Sequence, residues 1–256
     1  MSGKIFITKY QPEIRSFIEQ NEFLYQQSVT RILRNFDHIE SETDQCREKY
    51  TTSCLEHLSQ EEDLSIFTDM SQQIYEDSFN EAYQFYDLVS DMKRDVYLNT
   101  LALFFHHWDK TFRRWLIKEL NFYNFLEKSK DSIWDLSLNQ MMNLCEVFGW
   151  EIKATEYSKK IMTLQDIVNV YKHGNGQSLE HLKQQNPEYL VANFIDDVFK
   201  SPYIDYRDLN VNIEHIQDFS ANISDFWLNM PNLLEGNFDE VSSHLKPKRK
   251  NKKRGL

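Results

Sequence analysis

The sequence predicts an all-α fold, a helical bundle carrying a long N-terminal helix or helical hairpin, and three observations support that expectation. From Glu13 to Phe148 there is no glycine or proline, the residues that a sheet with frequent tight turns requires. Apolar residues recur at helical spacing through most of the chain. Hydrophobic residues make up 41% of the 256 and aromatic residues 14%, which is enough to fill a large core and sets the body of the chain apart from disordered sequences.

Taken in order, the elements begin with Pro12, well suited to the first turn of a helix. Ile14, Ile18, Tyr25, Ser28, Ile32, Phe36, Ile39, Cys46 and Tyr50 follow at a spacing near about 3.5 residues. That pattern predicts one very long helix or two nearly collinear ones, a packing arm over residues 10–60. Ser59 with Glu62 has the capping-box pattern and opens a second periodic stretch through Leu64, Phe67, Met70, Ile74, Phe79, Tyr83, Tyr86 and Val89. A third helix is predicted from Asp95 to Glu127. Leu98, Leu101, Phe105, Trp108, Phe112, Trp115 and Leu116 share one face of it, the strongest core stripe in the sequence.

Asp131 to Phe148 reads as a shorter helix ending near Gly149. Thr163 with Asp166 repeats the capping-box pattern and opens a short helix that runs to His173 and stops at Gly174-Asn175-Gly176. Ser178 is placed to cap the next helix, through Leu182, and Asn186-Pro187 starts another over Leu190 to Phe199. Ile213, Ile216, Phe219, Ile223, Phe226 and Trp227 give a last amphipathic helix closed by Pro231. The expected organisation is a single helical domain over residues 10–232, without internal repeats, and a disordered basic tail over residues 245–256.

Charge narrows the function classes. The net charge is −11, yet Lys246, Lys248, Arg249, Lys250, Lys252, Lys253 and Arg254 crowd seven cations into the tail, so the body alone stands at −18. An acidic body repels a phosphate backbone, which excludes nucleic-acid binding by the whole surface and leaves it only where basic groups concentrate. The tail can anchor RNA, stay solvated, or fold back onto the body. Cys46, Cys54 and Cys145 have no metal-ligand spacing and read as buried reduced thiols, so neither a metal nor a cofactor is predicted. Ile5-Phe6-Ile7 is too short for a signal-peptide core, and the apolar stretch Leu101 to Phe105 falls far below the roughly 20 residues that cross a bilayer. A cytoplasmic protein without a membrane partner is expected.

No Gly-rich phosphate loop, HExxH, GxSxG or kinase motif set is present, which removes the familiar enzyme classes. Two polar groups remain on helices that should face the core. Asp166, Asn169 and His173 stand at i, i+3 and i+7 on one helix face, with Lys172 adjoining, while Leu164, Ile167, Val168 and Tyr171 take the other. A neutral imidazole beside an amide can act as general base on a ribose hydroxyl, with the lysine stabilising phosphate charge. Equally, Lys172 and His173 suit the negative end of a helix dipole and Gly174 suits a C-terminal cap. The second group, His106, Asp109 and Arg113, repeats the spacing. Asp109 can orient the imidazole and Arg113 can hold a phosphate or carboxylate, or the three can form an ordinary ion network on a helix surface. His107 and Arg114 point to nearly the opposite face and belong to any partner surface.

The stretch from Leu103-Phe104-Phe105-His106-His107-Trp108-Asp109 through Arg113, Trp115 and Leu116 is followed some sixty residues later by Ile167-Val168-Asn169-Val170-Tyr171-Lys172-His173-Gly174-Asn175-Gly176-Gln177-Ser178. Together they resemble uncharacterised bacterial helical proteins of the abortive-infection type and, more loosely, the HEPN superfamily of compact helical toxin and phage-defence ribonucleases, over residues 90–230. That resemblance implies a helical bundle, often a homodimer, that cleaves RNA without metal at a composite site of arginine and histidine. In those ribonucleases an arginine precedes the histidine with four to six residues between them. Here the position five before His173 is Val168, so only Asn169 and His173 carry across.

The leading expectation is therefore a HEPN-like helical protein that acts on or binds RNA in stress or phage defence. The rival is a non-enzymatic helical interaction or scaffold protein, whose long N-terminal helix and aromatic-rich surface dock an operon-encoded partner. An antitoxin or immunity factor, neutralising a basic toxin through the acidic body, is the third reading.

Overall fold

A computed structural model describes residues 3–58, 64–123, 129–191 and 205–245. The fold is all-α with a small two-stranded sheet. In chain order the main elements are β1 (Lys4–Thr8), α1 (Gln11–Arg31), α2 (Ile39–Leu58), α3 (Leu64–Asn121), α4 (Ser129–Asp135), α5 (Leu138–Val147), α6 (Glu156–His173), α7 (Gln177–Gln185), α8 (Ile213–Leu228), β2 (Leu233–Asn237) and α9 (Phe238–His244). The chain divides into two compact units, one of residues up to Tyr25 with Thr100 onward, the other of Gln26–Asn99; the divisions fall inside α1 and α3.

The longest helix lies in the middle of the chain. The two helices expected over residues 64–127 are one, α3, of 58 residues. No breaker stands in its path, and at the expected join Arg94 pairs with Asp91 at 2.9 Å while Asn99 donates to the Asp95 carbonyl. The expected cap at Ser59 and Glu62 lies outside the described residues. Toward the N-terminus the pair of helices is found, α1 and α2, separated by a 3-10 turn at Leu33–Phe36. Leu33 and Phe36 are both buried, and their three-residue spacing eclipses them on such a turn, as it would not on an α-helix.

All seven residues of the predicted core stripe are buried, Leu98 at the end of the second unit and the other six in the first. Trp108 stacks on Phe112 at 5.5 Å, Phe226 of α8 meets Trp108 edge-on at 5.1 Å, and Phe17 of α1 lies 4.7 Å from Trp227. Buried Asn21 of α1 donates to the carbonyl and hydroxyl of Ser220, fixing α1 against α8. The helix expected over Asp131–Phe148 is broken into α4 and α5 because Ser137 caps α5 in a capping box with Gln140. Likewise α6 starts seven residues before Thr163, with Thr155 as its cap, and Thr163 instead donates to the Lys159 carbonyl and to Asn186. The helix expected over Leu190–Phe199 is replaced at its start by a 3-10 turn, Pro187–Tyr189, and a bridge from Leu190 to Leu209, and residues 192–199 lie outside the described residues.

Neither is α8 the last element. Ile5-Phe6-Ile7, read from the sequence as a short apolar run, is the strand β1, with Ile5 and Ile7 buried. It pairs antiparallel with β2, Lys4 opposite Asn237 through Thr8 opposite Leu233, and Lys4 forms an ion pair with Glu235. Gly236 packs against Phe148 so closely that a Cβ would stand 2.6 Å from the ring. Among the described helices, none is long and apolar enough to cross a membrane.

Within the second unit, α2 lies against the N-terminal half of α3, and the periodic positions divide. Ile74 and Val89 are half-buried, but Met70, Phe79, Tyr83 and Tyr86 are exposed although their spacing reads as core; the buried positions are instead Ser78 and Ala82, which the predicted stripe does not include, and the side chains of Leu64 and Phe67 lie outside the described residues. All three cysteines are free; Cys145 is buried, while Cys46 and Cys54 are half-exposed.

Candidate functional site

α6 is amphipathic, with Ile161, Leu164, Ile167, Val168 and Val170 buried, and this orients its polar stripe toward α7. Asn169 Nδ2 donates to Ser178 Oγ at 3.2 Å, and His181 Nδ1 stands 3.4 Å from Asp166 Oδ2. Ser178 also hydrogen-bonds Asp166. Burial holds the Asp166 carboxyl above the usual carboxylate range, against the opposing pull of Ser178 and His181. Ser178 is therefore no cap: Gly176 is the N-cap of α7, no side chain caps that end, and the serine hydroxyl crosses to α6 instead.

The turn between these helices depends on Gly174, whose φ of 73° lies in the left-handed region and whose N–H reaches the Val170 carbonyl at 2.8 Å. An open depression of about 310 Å³ follows, lined by Asn169, His173, the Gly174-Asn175-Gly176 turn and Ser178. His173, which lines it, and the adjoining Lys172 are both exposed. Neither side chain pairs with another described residue.

The second polar group divides in two. Arg113 is 8% exposed; it pairs with Asp109 at 2.9 Å and its Nη1 donates to the carbonyls of Ile133, Trp134 and Leu136 at 2.5, 3.4 and 2.9 Å. Those carbonyls close α4, so Arg113 serves as the cap of that helix end, and Asp109 balances its charge. This is neither a surface ion network nor a free anion receptor. His106 faces outward on the same helix. Burial, Lys110 and Lys172 all hold its imidazole below the ordinary histidine value, with Asp109 opposing. The charge of Lys172 on α6 thus acts on His106 of α3. Arg114 is exposed, and His107 lines a separate shallow cavity with Glu19, Phe23 and Leu24 of α1, where burial, Arg114 and Lys110 lower its pKa.

Sequence reasoning missed a third cluster. Lys160 Nζ lies 2.8 Å from Asp218 Oδ2 and 3.2 Å from the hydroxyl of buried Tyr189, and the His215 ring meets Tyr189 at 4.9 Å. His215 and Asp218 share one face of α8 at i, i+3, but Lys160 and Tyr189 come from segments 26 or more residues earlier, so no local pattern signals the cluster. Their partners satisfy one another, and the cluster ties α6 to α8. The tail cations Lys246, Lys248, Arg249, Lys250, Lys252, Lys253 and Arg254 lie outside the described residues. Among the described residues, no group of three His, Cys, Asp or Glu side chains is placed to hold a metal ion. Compared with known protein families, curated proteins and solved structures, the chain matches none.

Proposed function

We propose that the protein acts on RNA at the rim of the α6–α7 depression, in the manner of a metal-independent, HEPN-like ribonuclease or RNA-binding relative. One observation carries the reading: the charges of Lys110 on α3 and of Lys172, beside His173 on α6, both act on His106. The carboxylates on the same helix faces are already engaged, Asp109 by Arg113, Asp166 by His181 and Ser178, Glu180 by Lys183. A local excess of cationic and imidazole groups therefore survives on an otherwise acidic body, the condition under which such a body meets a phosphate.

In this reading a neutral imidazole takes the proton of a ribose 2′-hydroxyl. The 2′-oxygen forms a bond to phosphorus, the bond to the 5′-oxygen breaks, and the leaving oxygen takes a proton from a protonated neighbour, which leaves a 2′,3′-cyclic phosphate. His106 is suited to the base by its lowered pKa, and Lys172 to holding the phosphate. The basic tail supplies a second RNA contact, and a homodimer, a cytoplasmic setting and a phage-defence role complete the proposal. To test it, purified protein is incubated with a short labelled RNA in EDTA, beside His173→Ala and His106→Ala. The expected result is cleavage to cyclic-phosphate ends that either substitution reduces by about 100-fold. Absence of both cleavage and RNA binding in the parent protein would reject the reading.

A further inference from the structure

The geometry points to the exposed aromatic face of the α2–α3 hairpin as a docking surface for a cationic amphipathic helix of a partner protein. Tyr75, Phe79, Tyr83 and Tyr86 succeed one another at intervals of four, four and three residues, which places them in one sector of α3. All four are exposed, Phe79 at 59% and Tyr83 at 67%. An open groove of about 470 Å³ between α2 and α3 adjoins them, lined by Arg47, Glu48, Thr51, Tyr75 and Phe79. Leu88 and Met92 are exposed on the other flank of the same helix. A sector of exposed rings of this kind, rimmed by polar groups, marks an interaction site.

Charge selects the occupant. Residues 26–99 hold 16 acidic and six basic side chains, a net of −10, so this quarter to third of the chain accounts for nearly all of the −11 carried by the whole. Glu76, Asp87 and Asp91 form the row beside the aromatic stripe at 100° per residue. The stripe already accepts a cation: the Arg47 guanidinium lies 5.1 Å from the centre of the Phe79 ring. A second copy of this chain would bring one −10 surface against another, and a nucleic-acid backbone would meet the same repulsion. A helix with an apolar face and flanking Lys or Arg meets both the rings and the carboxylates.

The full chain is titrated with two labelled synthetic helices of about 18 residues, identical in their leucine face and carrying either Lys or Glu on the other. Fluorescence anisotropy reads binding. The Lys helix is expected to bind and the Glu helix not. Replacing Phe79→Ser with Tyr83→Ser should weaken the Lys helix by about tenfold or more, with melting temperature unchanged because both rings are exposed. Glu76→Lys with Asp87→Lys should shift preference toward the Glu helix. Equal binding by the Ser variant would reduce the effect to bulk charge and overturn the proposal, as would no binding of the Lys helix. A dimer of the unliganded chain in sedimentation, lost in the Ser variant, would assign the face to a second copy, and labelled RNA released by the same variant would assign it to nucleic acid; either overturns it.

Discussion

The two halves of α3 use the same residue types for opposite purposes. From Thr100 onward its aromatic residues are buried, Trp108, Phe112 and Trp115 being locked by Phe226 and Trp227 of α8. Before Asn99 the rings of Tyr75, Phe79, Tyr83 and Tyr86 face solvent. Helical periodicity is equally good in both halves. What differs is the number of neighbours that the chain supplies: α6, α8 and most of α1 belong to the first unit, while α2 and only the last turns of α1 accompany α3 in the second. Apolar spacing therefore reports that a helix has a face to cover, and not what covers it.

The largest expected effect breaks this comparison directly. Phe112→Ala removes a fully buried ring and should destabilise the protein by about 3–5 kcal/mol in chemical denaturation. Phe79→Ala should cost less than about 1 kcal/mol, because its ring is already hydrated and loses only the Arg47 contact. Similar losses from the two would mean that the second half of the comparison is wrong and that Phe79 is packed.

Next in size is Arg113→Ala, at about 3 kcal/mol, because it leaves Asp109 unpaired and the carbonyls that close α4 without a donor. Hydrogen exchange should quicken first at α4 and the α4–α5 link. A variant as stable as the parent, retaining slow exchange there, would return Arg113 to the list of groups free to bind a ligand. Gly236→Ala should cost about 1–3 kcal/mol, since Phe148 is buried and has little room to yield to a new methyl group.

How much of this was legible follows from the range of each interaction. The all-α class and the core stripe of α3 are set by spacing along the chain, which a sequence displays. Gly174 as a helix stop is equally local. By contrast, Ser178 looks like a cap because serine before a helix usually is one, and only the arrival of α6 beside it turns the hydroxyl toward Asn169 and Asp166. Arg113 has the spacing of a surface pair with Asp109, and its true role is set by carbonyls 20 to 23 residues away. The strand β1 needs β2, more than 220 residues later, to be a strand at all.

The smallest expected effect bears on the proposed site. Lys172→Ala removes a positive charge that makes protonation of His106 costly, so the His106 midpoint, followed by NMR titration, should move up toward the ordinary histidine value of about 6.5. The sign carries over to stability. Because His106 takes a proton less readily when folded than when unfolded, its contribution is complete above that ordinary value and is lost as pH falls through it to the folded midpoint. The variant should lose less over that window. In an RNA-cleavage profile the acid limb should shift upward with the same midpoint, since a base that protonates earlier is lost earlier on acidification. An unmoved His106 midpoint would separate the α6 rim from α3 and remove the observation on which the ribonuclease reading stands, while leaving the docking face of the second unit untouched.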